Sequence, residues 1–229
     1  MKLAEATTRS VQGAGLVLVP VGSIEQHGAH LPLDTDTVIA TAVATAAADH
    51  LGGWVAPALS YGSSGEHQSF AGTSSIGTEV LRLTVVELVR SLSTWTSRVL
   101  LVNGHGGNVE ALAESVAQLH SEGHDVDWIA CRTEASHPGD LHAGRTETSL
   151  MLHLAPWSVR LAHARPGTTR PLREILSTMR IGGVAAVSPS GVLGDPTGAS
   201  ADEGARLVRS MVADVVRAAS PGTSRTVRR

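Results

Sequence analysis

Five ionisable side chains crowd into the string GSIEQHGAHLPLDTD: Glu25, His27, His30, Asp34 and Asp36. Carboxylates and imidazoles suit zinc, iron or manganese, and a carboxylate such as Asp36 has two oxygens with which to bridge two ions. The string alone is equally compatible with a solvated loop in which Asp34 or Asp36 caps a following helix. A second string, NGHGGN, sets His105 in a turn where Gly106 and Gly107 let the backbone bend sharply and approach a ligand. Alone, His105 reads as a hydrogen-bonded turn histidine. The turn matches neither the P-loop nor the dinucleotide fingerprint, so phosphate binding is disfavoured. A third string, LHAGRTETSLMLHL, carries His142 and Glu147 at the start of a helical segment, where Glu147 is also an ordinary first-turn acid favoured by the helix dipole.

Together Glu25, His27, Asp36, His105 and Glu147 suffice for two metal ions sharing one carboxylate, with His142 left for proton transfer. Such a pair acidifies a bridging water, polarises a carbonyl and stabilises a tetrahedral oxyanion, while an imidazole protonates a departing nitrogen. Those are the requirements of amide hydrolysis. Other hydrolytic designs find less support. Cys131 is the only cysteine and ends an expected strand, where it reads as core. No G-x-S-x-G nucleophile elbow occurs. In YGSSGEHQSFAGT, Ser63 and Ser64 read as loop or substrate-contact residues, and Glu66 and His67 read as pocket wall rather than as a second acid/base pair.

These strings need a scaffold. Residues 16–21, 54–59, 98–102 and 126–130 are short apolar runs that read as strands. Residues 37–50, 78–95 and 109–120 have helical length or spacing, as do 147–154 and 202–218. Alternating strands and helices predict an α/β fold with a mainly parallel sheet covered on both faces, and ligands bind such sheets beyond the carboxyl ends of the strands. Residues 181–196 could hold a short strand or hairpin. One domain over residues 1–220 is expected, followed by a mobile tail at 221–229.

Composition narrows the function further. Eighteen basic and 21 acidic residues among 229 leave a net charge of -3, which disfavours nucleic acid and anionic membranes as partners. No apolar run approaches a bilayer span, no signal-peptide core is evident, and a lone cysteine excludes an intrachain disulfide. A cytoplasmic protein is the expectation. Eleven histidines stand against one tyrosine and one phenylalanine, an excess of the commonest metal ligand.

GSIEQHGAHLPLDTD, YGSSGEHQSFAGT, LVNGHGGN and HAGRTETSLMLHL follow in order the successive motifs of the creatininase family, which residues 16–155 closely resemble. The resemblance implies a three-layer α/β/α sandwich, a binuclear centre, amidohydrolase activity and a homo-oligomer, a hexamer or another dimer-built assembly. It implies Glu25 and His27 on separate metals, Asp36 bridging, His105 as a ligand, His142 near the scissile bond and Glu147 as the remaining carboxylate. Creatinine hydrolases carry an aromatic residue and a glutamate directly after the NGH turn, where this chain has Gly106 and Gly107, so creatinine is not the expected substrate. SGEHQSFAGTSSIGTE and GGVAAVSPSGVLGDPTGAS resemble the mycofactocin-associated branch and extend the likeness to about residue 207. That branch implies a peptidase that releases a Val-Tyr-derived C-terminal dipeptide from a modified precursor peptide, beside the peptide-maturation enzymes. Two divalent ions per subunit are implied, Fe2+ and Zn2+ with Mn2+ as the alternative. Gly-rich loops at 62–65 and 104–107 would admit the peptide. A small-molecule amidohydrolase, such as a formamide deformylase, and a non-catalytic metal-bearing peptide-binding protein are the rival readings.

Overall fold

The computed structural model describes residues 1–132 and 139–220. Strands β1 (Val17–Val21), β2 (Trp54–Val55), β3 (Val99–Asn103) and β4 (Val126–Ala130) form one parallel sheet in the order β2-β1-β3-β4. Every residue of β1 and β3 is buried, as unbroken apolar strands require when helices cover both faces. Their side chains alternate between two cores. Leu18, Leu100 and Val102 pack with α1 (Thr35–Leu51), α4 (Arg145–Leu154) and α6 (Ala201–Ala219). Val17, Val19, Val21, Val99 and Leu101 pack with α2 (Thr78–Leu92) and α3 (Val109–Ser121). The result is a helix–sheet–helix sandwich.

Two segments depart from the sequence reading. The second strand ends at Val55 instead of Leu59, because Pro57 and the facing Pro20 of β1 both lack an N–H for the ladder. The chain rejoins β1 at Leu59, whose N–H donates to the Pro20 carbonyl. Residues 181–196 form no hairpin. Their N–H groups close local turns, Ser188 to Val184 and Gly191 to Ser188, leaving one antiparallel bridge between Leu193 and His142. Just before this segment an additional helix, α5 (Leu172–Gly182), begins after Pro171 and buries Ile175. The expected tail, 221–229, lies outside the described residues.

β1 is followed by β2 on one side and paired with β3 on the other, so the strand order reverses between β1 and β3. Helices α1 and α2 cover opposite faces there, and a crevice opens at the carboxyl ends of the two strands. No helix among the described residues is long and apolar enough to cross a membrane.

Candidate metal centre

The crevice collects side chains from five segments: Glu25 and His27 from the loop after β1, Asp36 from the first turn of α1, and His67 from the loop after β2. His105 comes from the turn after β3, and His142, just before α4, and Glu147, in its first turn, form the fifth segment. Glu25 and His27 are fully buried, and Asp36, His67, His105 and His142 nearly so. Among the described residues, three sets of ligand atoms lie close enough to share an ion: Glu25, Asp36 and His105; His27, Asp36 and Glu147; and Glu25, His27 and His142. Asp36 belongs to the first two sets through different oxygens. Its Oδ1 is 3.3 Å from His27 Nε2 and its Oδ2 is 3.4 Å from His105 Nδ1. Ser23 Oγ donates to Oδ2 at 2.6 Å and fixes the carboxylate.

Three of the histidines are anchored alike. A ring nitrogen of His27 lies 3.1 Å from the Glu25 carbonyl, one of His105 lies 3.0 Å from the Ser63 carbonyl, and one of His142 lies 2.7 Å from the Gln26 carbonyl. A carbonyl only accepts, so each anchored nitrogen carries a hydrogen, and the other nitrogen of each ring faces the carboxylates as the one an ion or a second proton can occupy. Metal-ligating histidines are held in this way. Glu25 completes the fit. Both its oxygens are buried and accept no hydrogen bond from the described residues, the nearest N–H, His105 Nε2 at 3.2 Å, being engaged by the Ser63 carbonyl; this is costly for a carboxylate unless a cation sits against it.

The electrostatics follow from the crowding. Burial opposes charge on His27, but Asp36, backed by Glu147 and Glu25, overrides it and pushes the imidazole up to about 10. His105 is also pushed up to about 10, with Glu25 the leading charge against the penalty of burial. Burial opposes ionisation of Glu25 too, yet the charged His105, 3.2 Å away, holds its carboxyl well below the usual range. Glu147 rises to about 7, through burial and the negative Asp36 and Glu25, although His27 and a 2.5 Å bond from the Ala143 N–H pull the other way. Burial and the neighbouring His27 keep His142 well below its ordinary value.

The remaining residues singled out from sequence fall around this cluster. Ser63 turns its hydroxyl to Thr78 and offers His105 only its carbonyl, whereas Ser64 Oγ is 3.4 Å from His105 Nε2. Glu66 Oε1 stands 3.9 Å from His105 Nε2 at the partly open rim, and burial raises its pKa. His67 lies deeper than a pocket wall, its Nε2 3.5 Å from Glu25 Oε1. Gly106 faces open space, while a Cβ at Gly107 would overlap the Ser63 carbonyl and His105 Nε2. His30 turns away to Thr148, 3.0 Å from its hydroxyl, and Asp34 makes no side-chain cap. Cys131 is held as a thiol by burial, up to about 12.

Sequence reasoning did not single out Gln26, Ser23 or Asn108. Asn108 ties three strand-end segments together, donating to the Gly22 carbonyl and to Asn103 and accepting from the Ser63 N–H. The available signal for Gln26 and Asn108 was an uncharged amide inside GSIEQHGAHLPLDTD and NGHGGN, where a buried side chain must find partners; Ser23 carried none.

The family model for creatininase, described as creatinine amidohydrolase, matches residues 1–219. A protein of Mycobacterium ulcerans (strain Agy99) named mycofactocin precursor peptide peptidase is 54% identical over 209 residues, covering 87% of this chain and 82% of its own length. A protein of Mycolicibacterium smegmatis (strain ATCC 700084 / mc(2)155) with the same name is 52% identical over 217 residues, covering 92% of this chain and 87% of its own. A solved structure described as "Creatininase Mn" superposes with a TM-score of 0.79 at 27% identity, covering 95% of this chain and 96% of the other.

Proposed function

The chain belongs to the creatininase family of hydrolases, and on that premise we propose that it is a peptidase using two divalent metal ions to cleave a modified mycofactocin precursor peptide. The observation that carries the metal reading is Glu25, a fully buried carboxylate whose oxygens complete no hydrogen bond among the described residues, set beside an Asp36 shared between two ligand triads. Glu25, Asp36 and His105 would hold one ion, and His27, Asp36 and Glu147 the other. Bound there, divalent ions supply Lewis acidity to the scissile carbonyl and acidify water. The ligand types suit Fe2+ and Zn2+, with Mn2+ as the alternative.

The protein's own groups supply the remainder. Neutral His142 presents a bare Nδ1 beside Glu25, placed to take the proton of the attacking water and return it to the departing amine. Glu66, at the open rim, and the backbone around Gly106 offer polar contacts to an extended peptide. A glutamate at residue 107 would collide with Ser63 and His105, which supports a peptide rather than creatinine as the substrate. The substrate name carried by relatives at 54% and 52% identity supports release of the Val-Tyr-derived C-terminal dipeptide that the branch implies. The same reading places the protein in the cytoplasm as a homo-oligomer.

Incubating metal-loaded protein with modified precursor peptide should yield the dipeptide by mass spectrometry. His27→Ala and Asp36→Ala should lose bound metal and turnover together. Full turnover by a metal-free preparation would overturn the reading.

A further inference from the structure

Gln26 lies between two motif ligands without facing the ion-binding atoms, and it is nearly buried. Its amide nitrogen is 3.0 Å from the Gly191 carbonyl, 2.8 Å from His67 Nδ1 and 3.0 Å from His142 Nε2, while its amide oxygen accepts from the Gly28 N–H at 2.9 Å. The orientation of the amide is therefore fixed by two backbone groups, one that only accepts and one that only donates. An amide nitrogen has two hydrogens. His142 Nε2 already donates to the backbone carbonyl of Gln26 at 2.7 Å and cannot accept as well. The two amide hydrogens thus go to Gly191 and to His67 Nδ1. A ring whose Nδ1 accepts carries its hydrogen on Nε2.

The consequence meets at one atom. Glu25 Oε1 is 3.5 Å from His67 Nε2 and 3.6 Å from His142 Nδ1, and the two rings lie 4.4 Å apart. We propose that Gln26 is a positioning residue that sets two imidazoles in opposite senses against Glu25. Its carbonyl makes His142 present a bare Nδ1, and its side-chain amide makes His67 present an N–H. His67 then turns its N–H edge, 3.5 Å away, toward the carboxylate without completing a hydrogen bond, and cannot compete with His142 for a proton. The effect on turnover rests on the hydrolytic reading of the site; the arrangement of ring hydrogens does not. Gly191 belongs to the device, because a Cβ there would overlap the Gln26 amide.

The test is nitrogen NMR of isotope-labelled histidine in the zinc-loaded protein, with ring signals assigned by their loss in His67→Asn and His142→Asn. The wild type should show both rings hydrogenated at Nε2. Gln26→Leu removes the donor, Gln26→Glu replaces it with an acceptor, and Gly191→Ala displaces it while leaving Gln26 in place. Each should move His67 toward the Nδ1–H form and lower kcat about 10- to 100-fold, with bound metal retained and KM within about two-fold. A wild-type His67 hydrogenated at Nδ1, ring signals unmoved in all three variants, or a rise in KM at unchanged kcat would overturn the proposal. Ring signals that respond as expected in a protein that cleaves no peptide would leave the positioning standing and sink the hydrolytic reading alone.

Discussion

Asp36 shows how a single side chain joins two clusters, with one oxygen toward His27 and the other toward His105. Without metal, protons take the place of the ions. His27 and His105 both remain protonated up to about pH 10. Their raised values give the metal-free fold a stabilising contribution that is complete below the unfolded histidine value of 6.5 and lost as the pH rises through about 10. An entering ion must displace those protons, so metal affinity rises with pH, and Glu147, raised to about 7, adds to the same trend. The gain in melting temperature on adding zinc should therefore widen from about pH 6 to about pH 8. A gain that is flat or narrows would contradict the site. Glu147→Gln should abolish binding of one ion and spare the other, as metal analysis of the purified variant would show. The candidate ligands that the crevice brings together were legible in sequence because charged side chains cluster in short strings after strands. Gln26 and Asn108 were not, since an uncharged amide reveals its role only when its partners, such as Gly191 for the one and Gly22 for the other, are brought beside it.

Elements differ in how much of their role the pattern reveals. β1 and β3 are unbroken apolar runs and were readable, as were α2 and α3 with their one-sided spacing. Helix α5 was overlooked, although Pro171 before it and Ile175 and Met179 one turn apart were available as signals. It matters because Ile175 packs with Val184 and Leu193, and Phe70 leans on that cluster just after the loop bearing Glu66 and His67. Ile175→Ala should cost about 2 to 4 kcal/mol in that small cluster. Hydrogen exchange should accelerate at residues 65–70 and in α5, while the amides of β1 and β3 stay protected. Uniform acceleration across the sheet would show that α5 is not a separable cover.

At the scale of the molecule, the sheet brings together residues that the chain keeps far apart; the fold class and the gathering of the strand-end loops were legible, while the strand order was not. No local pattern carries that order, since β3 pairs with β1 only after the chain has passed through β2 and α2. Bound ions would cross-link the loops after β1 and β3 to α4. Chelation should therefore lower the melting temperature of the whole protein, and zinc at about 100 times its dissociation constant should restore about 2.7 kcal/mol. An unchanged melting temperature would argue against ions at this crevice. The two triads are also unequal in order of synthesis. Glu25, Asp36 and His105 have all been made once the turn after β3 is complete, whereas the other triad waits for Glu147 in α4. The ribosome thus writes one triad in full before it writes the last member of the second, which would give a paired metal centre a direction in time that its finished geometry conceals.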